Sequence, residues 1–354
     1  MRRTASLVLL AAAVFLGALA PLLRWYAFPR LAKVPAGRYQ AVVLEAENAT
    51  LVDYARLEPR TVPRVTMVQT LKGNAEAARE VKDATGRDAV VWDTLTYVAG
   101  PDGQLVSKIP ERYVFDAHSQ EPVHAGGEHV DGTPVRRDGI EYKWPFLVEK
   151  RDYRYFDMQT RTSAPIHYRG TRTFHGLDVY YFEQTVPWTE VPVPRTLPLG
   201  VTPETVRQLG LERWYTTKRM FWVDPVTGAP VNGEEEHREE LRWTGHPEKK
   251  PVTAFAGHVR MRPDYVEATV ALVSSQRDLV LLLTTVLPWS CAGLAVVLLA
   301  LSLYLEARSR RPRTVPAVPE GRSSCADGGH GTGWRDTRTA APGQGATPTE
   351  GGSP

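Results

Sequence analysis

Cysteine is almost absent from this chain. The two that occur are Cys291 and Cys325, so the long segment before them can hold no disulfide. That excludes the disulfide-stapled ectodomain common in animals and points to a bacterial envelope protein. Catalytic signatures are missing as well. There is no G-x-S-x-G nucleophile elbow, no HExxH helix and no phosphate-binding glycine loop. No enzyme activity is therefore expected, no cofactor, and no nucleotide to drive transport. Charge is nearly balanced, with 43 basic and 40 acidic residues for a net +3, and no like-charged block occurs in the middle of the chain. A nucleic-acid partner is not expected.

Charge is also missing from two stretches, and there the absence is itself the signal. Residues 5–23 and 279–305 contain no Asp, Glu, Lys or Arg. At 1.5 Å per residue the first reaches roughly 28 Å, close to the hydrocarbon thickness of a bilayer, and the second roughly 40 Å. The second must tilt, kink or protrude, and Pro288 is the expected kink. For the first, a cleaved signal peptide is the competing reading, given the small-residue Ala18-Leu19-Ala20 end. Its apolar stretch exceeds the usual signal core, and Pro21 would follow the cut, so a retained anchor is expected.

Arg2 and Arg3 flank the first run, and Arg308, Arg310, Arg311 and Arg313 follow the second. The positive-inside rule then places both termini in the cytoplasm. The expected organisation is a cytoplasmic N-terminus at 1–4, a span at 5–23, an extracytoplasmic domain at 24–278, a second span at 279–305 and a disordered cytoplasmic tail at 306–354. The tail is rich in Gly, Pro, Ser, Thr and Arg and cannot bury enough apolar surface to order itself. Localisation is accordingly the plasma membrane.

Within 24–278, apolar and polar residues alternate with period two. Segments 38–46, 62–72, 89–98, 112–115 and 179–186 predict half-buried strands. The clearest hairpin is 218–231, where Asp224-Pro225 and Gly228 supply a type I turn closed by a left-handed residue. Helices are few: 203–209, capped by Thr202 and stopped by Gly210, and 265–278, which leads without a break into the second span. The expected fold class is a mainly β ectodomain, a large antiparallel and barrel-like sheet, between two transmembrane helices. The acidic run Glu234-Glu235-Glu236 with Glu239 and Glu240 is expected to be a solvated edge strand or helix face.

Candidate site residues fall into two groups. His118, His124 and His129, near Glu128 and Asp131, are the residues a metal would use. Their glycine- and proline-containing spacing is that of a solvated loop, so no metal is expected. The middle of the domain is crowded with aromatic residues. These either fill a core or line a cavity for an apolar ligand, and the cavity candidates are Trp144, Phe146, Tyr155, Tyr168, Tyr181, Trp188 and Trp222.

Four stretches carry a family resemblance: Tyr155-Phe156-Asp157 through Thr160, Ala164-Pro165-Ile166-His167-Tyr168-Arg169-Gly170, Gly176-Leu177-Asp178-Val179-Tyr180-Tyr181-Phe182, and Trp222-Val223-Asp224-Pro225-Val226-Thr227-Gly228. In these the chain resembles the actinobacterial porin PorA family, from the first span through the second. The resemblance implies a two-pass envelope protein of actinobacteria whose biochemical role is unassigned. A membrane β-barrel would need apolar outward positions along each strand, whereas these strands carry polar residues on their second face. In layout the chain is also similar to the class B scavenger receptors of animals, which place a β-rich ectodomain with a lipid-conducting tunnel between two terminal helices. That similarity implies lipid binding or transfer and carries over no individual residue. The expected partners are membrane lipids, with other envelope proteins if the domain is instead a scaffold; a porin-like channel component is a further alternative.

Overall fold

A computed structural model of the chain describes residues 2–125 and 127–309. Residues 310–354 of the expected tail, with Cys325 and the basic residues beyond 309, lie outside the described residues; its first four, 306–309, are helical rather than disordered.

The first apolar run forms α1 (Arg2–Pro21), followed by one π turn (Leu22–Ala27) and the short α2 (Phe28–Leu31). Pro21 has no N–H to continue the α-helical ladder, which accounts for the change of helix type there. The chain then enters β1 (Tyr39–Asp53) and β2 (Glu58–Gly73), crosses α3 (Ala75–Thr85), and continues through β3 (Ala89–Ala99) and β4 (Leu105–Asp116). Two short strands follow, β5 (His129–Val130) and β6 (Thr133–Pro134). After a long loop come β7 (Tyr153–Asp157), β8 (Thr162–Phe174) and β9 (Leu177–Glu190). The helix α4 (Pro203–Gln208) precedes β10 (Leu211–Val223), β11 (Pro230–Trp243) and β12 (Val252–Met261). A long helix closes the described chain: α5 (Pro263–Leu281), a π turn (Leu282–Val286) and α6 (Leu287–Ser309).

All strands join one antiparallel sheet of 12 strands, in the order β6-β5-β4-β3-β2-β1-β12-β11-β10-β9-β8-β7. Its two ends meet. Ile140, just beyond β6, donates its N–H to Arg154 O at 2.8 Å and accepts from Phe156 N at 2.9 Å, both on β7. The sheet is thus curled into a barrel with a short irregular seam. At that seam Arg137 is fully buried, with its guanidinium over the rings of Tyr113 on β4 and Phe156 on β7.

Local chemistry explains the turns and bends. In the 224–229 turn, the Asp224 carboxylate accepts from the N–H groups of Val226 and Thr227 at 3.2 and 2.7 Å, and Gly228 adopts φ +72°. Asn48 at φ +50° marks a shift of register between β1 and β12. Opposite it, a Cβ on Gly257 would come within 3.1 Å of Ala46 Cβ and 3.3 Å of Ala49 Cβ. The bulge brings the backbones that close, and bulges bend a sheet toward closure.

Alternation along β3 shows which way the strand faces. Val91 packs outward with Ala78 and Val81 of α3, while Val90 and Trp92 pack with Val42, Leu71 and Tyr113 on the inner side. The Pro203–Gln208 helix has the expected cap, Thr202 Oγ1 accepting from Thr205 N at 3.2 Å, and Gly210 lies at φ +67°. The helix at 75–85 lies outside the elements expected from the sequence. Its Asn74 cap, accepting from Ala77 N at 3.0 Å, and Gly86 at φ +72° are the signals that mark it.

α1 and α6 pack side by side and antiparallel. Ser6 Oγ lies 3.1 Å from Ser302 Oγ, and Ser302 Oγ donates to Ser6 O at 2.9 Å. Ala13, Ala20, Cys291 and Ala295 are buried between them, and Gly17 faces Ala295. Small residues and hydroxyl bonds are how apolar helices associate where lipid removes the hydrophobic drive. The irregularity expected at Pro288 falls one turn earlier, at 282–286. Proline withdraws the N–H that would bond the Thr284 carbonyl, so the ladder opens before the ring rather than at it.

Candidate functional site

The barrel is hollow. It encloses a cavity of about 1010 Å³ whose walls run the length of the strands. At one end it is bounded by Phe28, Leu31, Leu279 and Leu283, from the helices that bear the apolar runs, and at the other by Tyr54 of the β1–β2 hairpin and Leu199. Leu31, Leu279 and Leu199 are exposed, so apolar surface reaches solvent at both ends. β1 alone has 15 residues, a contour of roughly 50 Å at 3.3 Å each.

The two sides of the cavity differ. β1 to β4 present apolar groups, among them Leu44, Met67, Leu71, Trp92 and Val98, with Phe255 of β12 beside them. β10 and β11 present a ladder of charge: Arg213, Tyr215 and Arg219 on one strand, Glu235, His237 and Glu239 on the next. Period two sends these side chains inward, while Glu236 and Arg238 between them point out and are exposed. β11 lies between β10 and β12. The acidic run is therefore a central strand, not the solvated edge strand or helix face expected from sequence. Its alternate carboxylates are drawn inside because cations wait there.

The ladder is internally paired. Arg213 donates to both Glu239 oxygens at 2.9 and 2.6 Å, and Arg219 to Asp157 at 2.8 Å and Glu235 at 3.2 Å. His237 Nε2 lies 2.8 Å from Glu239 and Nδ1 3.5 Å from Glu235. Burial alone would push the imidazole down, but the two flanking carboxylates outweigh it and hold His237 up at about 9. Burial would likewise raise Glu239, yet Arg213 and His237 bring it down to about 2. Glu235 is held well below the usual carboxylate range by Arg219 and His237 against the same opposition. Three cations and three carboxylates, Asp157 included, thus balance in the wall.

A second buried set lies at the seam. Arg137 donates to Glu111 at 2.7 Å and to Glu141 at 2.8 Å, with Glu128 at 3.9 Å. One cation serves three carboxylates. Burial and mutual repulsion raise Glu141 well above its ordinary range, and burial raises Glu111 and Glu128.

Of the aromatic cavity candidates, Phe146 and Tyr155 line the cavity. The other five do not. Trp144 is fully buried in the packed cluster around Ile140, Tyr155 and Phe182. Tyr168 packs on the edge of that cluster and bonds Thr171. Tyr181 and Trp222 are paired neighbours on β9 and β10 with ring centroids 5.0 Å apart, and Arg172 covers Tyr181. Trp188 stacks under Arg242. Alternation decides this, since Phe221 lines the cavity and its neighbour Trp222 must face away. What sequence reading missed is the inner row of β1 to β3 and the charged row of β10 and β11. The signal was present as the same period two already used to find the strands.

The three histidines are not gathered. His118 Nδ1 contacts Ala32 O at 3.1 Å, His124 Nδ1 contacts Glu128 at 3.2 Å, and His129 sits on β5 opposite Arg112. Among the described residues no group of three or more His, Cys, Asp or Glu side chains could hold a metal ion.

Residues 5–304 match the family described as Porin PorA. A protein of Corynebacterium amycolatum described as Porin PorA is 23% identical over 305 residues, covering 67% of this chain and 77% of that one. A second of the same description, from Corynebacterium resistens, is 28% identical over 194 residues, 37% of this chain and 46% of that one. With its two long apolar helices and this match across both of them, the chain belongs to the Porin PorA family and is a membrane-associated protein.

Proposed function

We propose that this protein stands on the plasma membrane with both termini in the cytoplasm, and that its extracytoplasmic barrel binds and passes on an apolar ligand, a membrane lipid. The cavity carries this reading. Its volume of about 1010 Å³ is at the upper end for small-molecule sites, and its wall is continuous from Leu31 and Leu283 beside the apolar helices to Leu199 at the far end. A lipid leaving the bilayer would meet apolar surface along the whole route. The antiparallel pairing of α1 and α6 supports the hairpin topology, since it returns the chain to the side from which it came. Charged outward positions such as Glu236 and Arg238 fit a barrel standing in water rather than in lipid. The role is one of binding, without chemistry on the ligand.

The second reading is a channel. The description of the relatives as porins and the charged wall of β10 and β11 favour it. The readings part on one preparation. Full-length protein purified in detergent, extracted with organic solvent and analysed by mass spectrometry, is expected to yield lipid near one equivalent per chain. Leu51→Trp with Met67→Trp, which would fill the apolar side, is expected to lower that yield severalfold. Protein that is repeatedly free of lipid yet conducts ions in planar bilayers would overturn the lipid reading in favour of the channel.

A further inference from the structure

Two basic side chains at the helix-proximal end of the cavity have no carboxylate in ion-pair contact among the described residues. Lys143, in the loop that packs against the 224–229 turn, and Arg38, just before β1, both line the wall. Among the described residues neither side chain forms an ion pair. Lys143 Nζ donates to Trp144 O at 2.8 Å and lies 4.0 Å from the ring centroid of Phe146, which leaves part of its three-donor capacity unused. Its ammonium is deep in the protein, yet the side chain is only half-buried because what it faces is the cavity. Asp224, the carboxylate that acts on it, is already committed. It pairs with Arg277 of α5 at 3.0 Å and accepts from Thr227 and the turn backbone.

The β10–β11 ladder differs, since each of its cations has its carboxylate, and Lys33 nearby pairs with Asp88 at 3.2 Å. Arg60, which also lines the wall without an ion pair among the described residues, is an exposed residue near the β1–β2 hairpin. Buried unpaired charge is costly and is normally neutralised or matched. Here two basic side chains without a carboxylate are left together where the apolar wall begins. Resting on the lipid reading above, we propose that Lys143 and Arg38 bind the anionic end of an acyl-chain amphiphile, a carboxylate or phosphate, whose chain runs into the apolar side toward Leu44 and Met67. Burial, then the positive charge of Arg38, pushes the Lys143 ammonium down to about 7 against the pull of Asp224. Near pH 7 the amine is thus charged in only part of the molecules, and an anion bound beside it would favour the charged form.

The test uses full-length protein in detergent and a fluorescent polyene fatty acid with its methyl ester, identical in chain and differing in charge. The acid is expected to bind at least 10-fold tighter than the ester. Lys143→Met and Arg38→Met are each expected to remove most of that preference while leaving ester binding in place, which also shows that the cavity is intact. Equal binding of acid and ester by the unsubstituted protein, or a preference that survives both substitutions, would overturn the headgroup site and leave the lipid reading standing. Failure of both probes to bind would instead sink the lipid reading. Displacement of the acid by inorganic phosphate at similar concentration would assign the pair to a free anion and overturn the amphiphile.

Discussion

The imidazole of His237 is the centre of the charged wall, and its titration sets a pH window for the barrel. Its folded value near 9 lies above its ordinary 6.5, so its stabilisation is complete below about 6.5 and is lost as pH rises through 9. Glu239 runs the other way. Its stabilisation is complete above its ordinary 4.5 and is lost as pH falls through about 2. Other shifted groups, Lys143 and Glu141 among them, titrate in the same range, so the readout is the difference in thermal unfolding between the parent protein and His237→Ala, which should hold steady up to about 6.5 and shrink as pH rises through 9. The same substitution leaves Glu235 and Glu239 short of a cation in a buried setting and is expected to cost about 3 kcal/mol. A substituted protein that melts unchanged at pH 7 would contradict the pairing described here. None of this was legible residue by residue. Period two could show that Glu235, His237 and Glu239 share a face, but the cations that draw that face inward lie on β10, and nothing local to the acidic run announces them.

At the scale of elements, two positions tie local geometry to the cavity. Gly228 holds a positive φ, and a Cβ there would overlap the backbone oxygens of Trp144 and Pro145. Gly228→Ala should displace the loop that carries Lys143 and Phe146. Fluorescence of the protein's tryptophans would report it, because Trp144 would leave its packed site. An unchanged spectrum with unchanged probe binding would contradict that coupling. Asn74→Ala removes the cap of α3 together with a 3.0 Å bond to Asp93, with an expected loss of about 1 kcal/mol in denaturant unfolding. Most elements could be read in advance for plain reasons. β-branched alternation marked β1 to β3, and Asp224 with Gly228 marked the β10–β11 turn. The aromatic residues misled, because Trp222, Tyr181 and Trp188 look alike in sequence whether they face a cavity or brace the outside of a sheet under Arg172 and Arg242. Their side is fixed by strand register, and register comes from partners far along the chain.

For the whole molecule, topology and cavity make one account. The helix running through Pro263–Ser309 is 47 residues long, roughly 70 Å, about twice what a bilayer core requires. Its first half, α5, packs on the barrel through Val266 and Val273, and its second half, α6, pairs with α1. Barrel and apolar hairpin are thus coupled through one continuous helix, and the cavity begins where they join. Protease added to intact protoplasts should remove the barrel and spare the α1–α6 pair; a protected barrel would reverse the orientation proposed here.

The most direct measurement places a lipid inside the barrel or fails to. Cells fed a photoreactive, clickable fatty acid are irradiated, the full-length protein is purified, and the labelled residues are mapped by mass spectrometry. Labels on Leu44, Met67, Trp92 or Phe255, inside the wall, are expected if the barrel holds lipid. Labels confined to the lipid-facing sides of α1 and α6, with none inside the barrel, would contradict it.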